Sequence, residues 1–163
     1  MRILEAAQIR LKLARLAVEI LEHHVGHATI YLVGINNNGY LTAEALREEM
    51  AHDDPETRVE LRRVQLSPAD PLHGGIRYHG DVAELDGQHV IIVDDVANTG
   101  RTAFYAAKPL LEVVPASLEV AVLVDRRHKS FPVSCDYVGL TLSTTLQEDI
   151  RVYLADDPRV EVF

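Results

Sequence analysis

The chain has a single cysteine, Cys135. One thiol excludes an intramolecular disulfide framework and a multi-cysteine zinc site. Long apolar runs are also missing, since none approaches the roughly 18 residues needed to span a bilayer. The opening stretch MRILEAAQIRLKLARLAVEI is amphipathic and carries Glu5 early, which is not the pattern of a secretory leader. Positive charge is scarce: 16 Lys and Arg stand against 25 Asp and Glu, a formal net charge of −9. That balance weighs against broad nucleic-acid binding, which relies on a positive field. No internal repeat, low-complexity tract or linker divides the sequence. What remains is a globular composition, 47% apolar and 25% charged over 163 residues, enough for one core and too short for two ordinary domains. The expectation is a single domain over 1–163, cytoplasmic and with no membrane contact.

Patterning supplies the elements. Ile3, Ala6, Ala7, Ile9, Leu13, Leu16, Ala17, Ile20 and Leu21 recur at helical spacing, predicting a helix over 3–24 that stops near Gly26. Thr29–Val33 is short, β-branched and apolar, like a strand buried on both faces. Gly34 to Gly39 reads as a tight polar loop, and Tyr40–Met50 as a helix. Val59, Leu61, Val64 and Leu66 suggest a strand whose alternation Arg62-Arg63 breaks. Residues 67–88, rich in Pro, Gly, His and Asp, are long for a connector and read as a functional loop. His89–Val93 is another buried strand, followed by a helix over about 101–113 and a strand over Ser117–Val124. Asp136–Gly139 reads as a short strand, and Arg151–Leu154 with Val160–Phe163 as a closing hairpin. This order implies an α/β fold with a central, mostly parallel sheet flanked by helices on both faces.

The chemistry concentrates in Val90-Ile91-Ile92-Val93-Asp94-Asp95-Val96-Ala97-Asn98-Thr99-Gly100-Arg101-Thr102. A buried strand ends in two carboxylates, a Thr-Gly-x-Thr loop follows, and a helix begins. Ligands of open α/β sheets bind at the carboxyl ends of strands. The loop offers backbone N–H groups, hydroxyls and a helix start to one phosphate. The carboxylates repel that phosphate but suit the hydroxyls of a cis-diol. Together they read as a ribose 5-phosphate site. A P-loop is excluded because no lysine follows Gly100, and a dinucleotide fingerprint because its spaced glycines are absent. A phosphorelay receiver would carry its Asp pair near the N-terminus, not at 94–95.

This segment resembles the phosphoribosyl diphosphate (PRPP) motif of type I phosphoribosyltransferases. Leu32-Val33-Gly34-Ile35 with Gly39 resembles the first strand and diphosphate loop of that family. Ala121-Val122-Leu123-Val124-Asp125-Arg126-Arg127-His128, Pro132-Val133 and Asp136-Tyr137-Val138-Gly139 resemble its PyrR branch, the bifunctional pyrimidine operon regulators with uracil phosphoribosyltransferase activity. The resemblance implies a type I phosphoribosyltransferase fold with a small hood. It implies the reaction of PRPP with a pyrimidine base, uracil before others, to give UMP and diphosphate with Mg²⁺. It assigns Asp94 and Asp95 to the ribose hydroxyls and, through PRPP, to Mg²⁺. Ala97, Asn98, Thr99, Gly100, Arg101 and Thr102 fall to the 5′-phosphate, and Ile35, Asn36, Asn37, Asn38 and Gly39 to the diphosphate. Arg77 is the nearby catalytic cation, and Arg126, Asp136, Tyr137, Val138 and Gly139 receive the base. A homodimer or larger homo-oligomer is implied as well.

The sequence departs from that pattern where Lys and Arg are usual in the diphosphate loop and it has Asn36-Asn37-Asn38. It has Ser67-Pro68-Ala69-Asp70 in place of a Tyr-Arg-Asp-Asp-like stretch, Leu140 where lysine is common, and Arg127 where glycine is. A thinned diphosphate side makes a PRPP- or nucleotide-sensing regulator without turnover the rival reading. An RNA-binding attenuation regulator would use Arg58, Arg62 and Arg63, the one short basic cluster, against the acidic balance of the whole. His23 and His27 have metal-pair spacing but no completing ligand nearby, and read as dipole partners at a helix end. His73 and His79 belong to the long loop and are candidates for closing over substrate. Cys135 reads as a packing residue.

Overall fold

The computed structural model describes residues 1–26, 29–145 and 147–163. Five parallel strands form the frame: β2 (Thr29–Ile35), β3 (Arg58–Gln65), β5 (His89–Ala97), β6 (Ser117–Arg126) and β7 (Tyr137–Leu142). A short antiparallel strand β4 (Arg77–His79) closes one edge, giving the order β4-β3-β2-β5-β6-β7. Helices α1 (Ala6–His23) and α2 (Asn36–Asp53) cover one face, and α3 (Arg101–Ala106) the other. Each face has its own core. Ile9, Leu13, Leu16, Ala17 and Ile20 recur every third or fourth residue and bury the inner stripe of α1 against Ile30, Leu32 and Ile91. Val33, Ile92, Ala103, Ala106 and Leu110 fill the opposite layer. The strands read as continuous apolar runs because both faces are covered.

A second sheet stands apart in order β1-β9-β8, built from β1 (Arg2–Glu5), β9 (Arg159–Val162) and β8 (Ile150–Tyr153). The expected closing hairpin is its core, with Ile150 opposite Val162 and Tyr153 opposite Arg159. The first strand differs from expectation. Ile3 does not belong to the N-terminal helix, because residues 2–5 pair antiparallel with β9, Leu4 facing Val160. A partner at the other end of the chain outweighs the local helical spacing. The helix starts only at Ala6, where the Glu5 N–H donates to Gln8 Oε1 at 2.9 Å.

Four further boundaries move. The Gly34–Gly39 loop does not exist as such: Gly34 and Ile35 complete β2, and Asn36 opens α2 with φ of +52°. The β5 strand runs past its carboxylates to Ala97, because β6 pairs with it as far as Asp125. The 101–113 helix breaks after Ala106, and a separate 3-10 turn follows over Pro109–Glu112. Pro109 lacks the N–H that would continue the helical ladder. The long 67–88 loop contains β4 and a 3-10 turn over Val82–Leu85. A three-residue strand is too short to leave a period in the sequence.

Candidate functional site

The site lies at the carboxyl ends of β2, β3, β5 and β6, and it starts from Asp94 and Asp95. The registers put Asp94 level with Val122 on β6. The two carboxylates serve different cavities. Asp94 lines a cavity of about 250 Å³ with Ala97, Asn98, Thr99, Gly100, Arg101 and Thr102. Asp95 lines one of about 570 Å³ with Asn38 and the second sheet, including Ile150 and Tyr153. A central cavity of about 410 Å³ touches both carboxylates, Ile35, Asn36, Asn37 and Asn38, and Thr102. A neighbouring cavity of about 560 Å³ shares Asn36 and Asn37 and is walled by Arg63, His73 and Arg77.

Local geometry fixes the carboxylates. The Asp95 N–H donates to Asp94 Oδ1 at 2.9 Å, and the Val96 N–H to Asp95 Oδ1 at 2.8 Å. Asn38 Nδ2 donates to Asp95 Oδ2 at 2.9 Å and to the Val152 carbonyl at 3.3 Å, tying α2, the acidic strand and the second sheet together. Burial, and then the neighbouring Asp95 charge, holds the Asp94 carboxyl well above the usual carboxylate range. Gly39 is required here. A Cβ would stand 2.6 Å from the Val93 carbonyl and 3.3 Å from Asp94 Oδ1.

The 97–102 turn is braced from outside. Gly100 has φ of +85°, and a Cβ there would press on Val133 and Lys129 at 3.2 and 3.3 Å. The Thr99 carbonyl accepts from the Ser130 and Phe131 amides at 2.9 and 3.2 Å. Arg101 donates to the Pro68 carbonyl at 2.7 Å, drawing the segment after β3 over the cavity. The backbone of this turn can therefore offer N–H groups to an anion without rearranging.

The structure brings together Ile35–Gly39, Asp94, Asp95 and Ala97–Thr102. Arg77 lies beside them, on the wall of the neighbouring cavity. Of the five residues expected to receive a base, only Arg126 sits at the carboxyl end. It donates to Asn98 Oδ1 at 3.3 Å, Thr144 Oγ1 at 2.7 Å and the Thr145 carbonyl at 2.6 Å. The other four lie at the start of β7 or just before it. Val138 is level with Val122 and through it with Asp94, so Tyr137 stands one step before that level and Gly139 one step after it. Asp136 accepts from the Val120 amide, and buried Tyr137 donates its hydroxyl to Glu119 at 3.0 Å. The Gly139 carbonyl accepts from Lys12. The strand itself is longer than the DYVG motif suggested, since β7 runs on to Leu142.

Sequence reasoning missed Ile150, which borders both Asp95 cavities, and Arg63. The apparent break at Arg62-Arg63 is regular alternation carrying polar side chains. It also divides the basic cluster. Arg58 pairs with Glu60 at 2.6 Å and Arg62 with Glu84 at 2.7 Å, while Arg63 turns to the other face over Tyr40. The three arginines form no common patch.

Remaining candidates resolve simply. His23 packs against the Tyr137 ring, and His27 lies outside the described residues. His73 lines the Arg63 cavity, and His79 bonds Gln65 at 3.1 Å. Among the described residues no group of three or more His, Cys, Asp or Glu could hold a metal ion. Magnesium binds through one or two carboxylates plus substrate phosphates, and the hard oxygens of Asp94 and Asp95 fit such a shared site. Burial, followed by nearby Asp125, pushes the Cys135 thiol up to about 12, which marks it as unreactive. No helix among the described residues is long and apolar enough to cross a membrane.

Comparison with known proteins gives the family. Residues 2–156 match the phosphoribosyl transferase domain family. A bifunctional protein PyrR of Bacillus velezensis is 36% identical, over 94% of this chain and 90% of its own length. One from Listeria monocytogenes is 34% identical, over 98% and 92%. Among solved structures, a hypoxanthine-guanine phosphoribosyltransferase of Bacillus anthracis superposes with a TM-score of 0.71 at 19% identity, covering 87% of this chain and 82% of that one. A hypoxanthine phosphoribosyl transferase of Trypanosoma cruzi gives 0.74 at 22%, covering 88% and 78%. At those identities the two structures speak for the fold alone.

Proposed function

The chain belongs to the phosphoribosyl transferase domain family, and from that premise we propose that it transfers ribose 5-phosphate from PRPP to a pyrimidine base, uracil, releasing diphosphate. The observation that carries this reading is the central cavity. It touches both carboxylates of β5, the start of α2 and Thr102 of the braced turn, which is the set of groups that one sugar with phosphates at both ends requires.

The 5′-phosphate sits in the turn 97–102, held by backbone amides and the Thr99 and Thr102 hydroxyls. The ribose 2′- and 3′-hydroxyls donate to Asp94 and Asp95. Diphosphate leaves on the Asn36–Asn38 side. The reaction makes the bond from a uracil ring nitrogen to the anomeric carbon and breaks the bond from that carbon to the diphosphate oxygen. The electron pair of the broken bond goes to diphosphate, and the ring-nitrogen proton goes to water. Positive charge grows on the sugar between these events, and the fixed carboxylates favour it. Mg²⁺ bound with the substrate would supply charge neutralisation at the diphosphate, and the carboxylates of Asp94 and Asp95 would help to hold it. Asn38 holds Asp95 in place before substrate arrives, so little reorganisation is left for the reacting complex. Ile150 offers the flat base an apolar wall opposite the acidic strand, and the homo-oligomer that the family resemblance implies is read by gel filtration.

The uncharged Asn36–Asn38 turn favours one other reading, a regulator that binds PRPP or UMP without turnover. The variant Asp95→Asn separates a carboxylate-dependent site from an unrelated cavity. It retains the bond from the Val96 amide while losing the charged acceptor of both the diol and Asn38. The expected outcome is a drop in PRPP affinity or turnover of about 100-fold, since charge-assisted hydrogen bonds are worth roughly 1.5–3 kcal/mol. Unchanged affinity and rate would remove the ribose assignment.

A further inference from the structure

We propose that Arg63, with Arg77, receives the diphosphate of the donor sugar at the β3–β4 edge and supplies the charge that the Asn36–Asn38 turn lacks. This rests on the phosphoribosyltransferase reading and deepens it by naming an anion subsite.

The argument starts from strand register. Arg63 stands opposite His79, and Gln65 opposite Arg77, on antiparallel strands. Directly opposed and alternate residues share a face, so these four side chains stand on one side of the edge hairpin. That side is the one bearing α2, because the Arg63 guanidinium lies 4.2 Å from the centroid of the Tyr40 ring. Stacking holds the planar fork in one orientation. The end of β3 is also stitched to the start of α2, since the Leu66 N–H donates to Asn36 Oδ1 at 3.0 Å.

Charge balance separates the two faces of the strand. On the opposite face of the same strand, Arg58 and Arg62 are neutralised by Glu60 and Glu84. Among the described residues, Arg63 and Arg77 have no such carboxylate partner, yet both wall one cavity of about 560 Å³ that also holds His73. Two unpaired guanidinium groups on one concave wall favour a multiply charged anion, which Arg recognises bidentately. Asn36 and Asn37 border both this cavity and the central one, so an anion attached to a sugar at Asp94 and Asp95 reaches it directly. A nucleic-acid backbone is a poorer occupant, because the neighbouring arginines are turned away and neutralised.

The test is calorimetric titration of wild type, Arg63→Gln and Arg63→Lys with magnesium diphosphate, PRPP and UMP. UMP lacks the diphosphate and serves as the internal control. Arg63→Gln is expected to weaken diphosphate and PRPP by about 10- to 100-fold while UMP stays within about twofold. Arg63→Lys, which restores the charge without the fork, falls between. Equal loss of all three ligands in Arg63→Gln would mean a structural role and overturn the proposal, as would no loss at all. Wild-type protein that binds diphosphate through Arg63 but neither PRPP nor UMP would overturn the phosphoribosyltransferase reading and leave the anion pocket standing.

Discussion

Asp94 illustrates the tension between stability and function at a single residue. Its carboxyl is held well above the ordinary range by burial and by Asp95 beside it. A group whose folded pKa is raised costs nothing below its unfolded pKa. It costs stability progressively as pH climbs toward the folded value, because the folded state then binds more protons than the unfolded one. Asp94→Asn keeps the acceptor for the Asp95 amide and removes this cost. Its melting temperature should therefore exceed that of wild type at pH 8, with the gap closing near pH 4. A variant less stable than wild type at pH 8 would contradict the electrostatic account. The pair was legible in the sequence because the apolar run, the two carboxylates and the Thr-Gly-x-Thr turn are contiguous. Arg63 was not, because what gives it meaning is its position across from His79 and over Tyr40.

At the scale of elements, local patterns succeed where an element is long and buried. The α1 stripe, β2, β5 and β6 follow from periodicity alone. Patterns fail where a distant partner decides. The strand β1 looked like the start of a helix, and its pairing with β9 overrides that. β4 is only three residues long. The true end of β7 lies beyond DYVG, at Leu142, because its pairing with β6 runs on to Arg126. The role of β1 is open to direct measurement. It buries Leu4 and supplies an edge to the sheet whose β8 carries Ile150 and the Val152 carbonyl. Deleting residues 1–4 forfeits about 1.5–3 kcal/mol of Leu burial before any ladder bond is counted. The melting temperature should fall on the order of 5–10 °C, and PRPP affinity should weaken as Asn38 loses its fixed carbonyl partner. An unchanged melting temperature would mean that β8 and β9 hold that sheet without help.

Across the whole molecule, the chain is acidic, yet its cations are arranged unevenly. Arg2, Arg58, Arg62, Arg151 and Arg159 are paired with carboxylates, and at the surface such a pair contributes little. Among the described residues, Arg63 and Arg77 have no carboxylate partner, and both wall the cavity next to the central one. The fold thus sets carboxylates in the middle of the carboxyl end of one sheet and cations at its edge, which the proposed function assigns to a sugar diol and to its leaving group. The central claim is that these work together in one reaction. The most direct measurement is diphosphate release from PRPP and uracil with Mg²⁺, run beside calorimetric titration of PRPP and UMP. The account predicts binding of both ligands and stoichiometric release of diphosphate with UMP formed. Tight binding with no release would contradict it and make the uncharged Asn36–Asn38 turn the mark of a sensor.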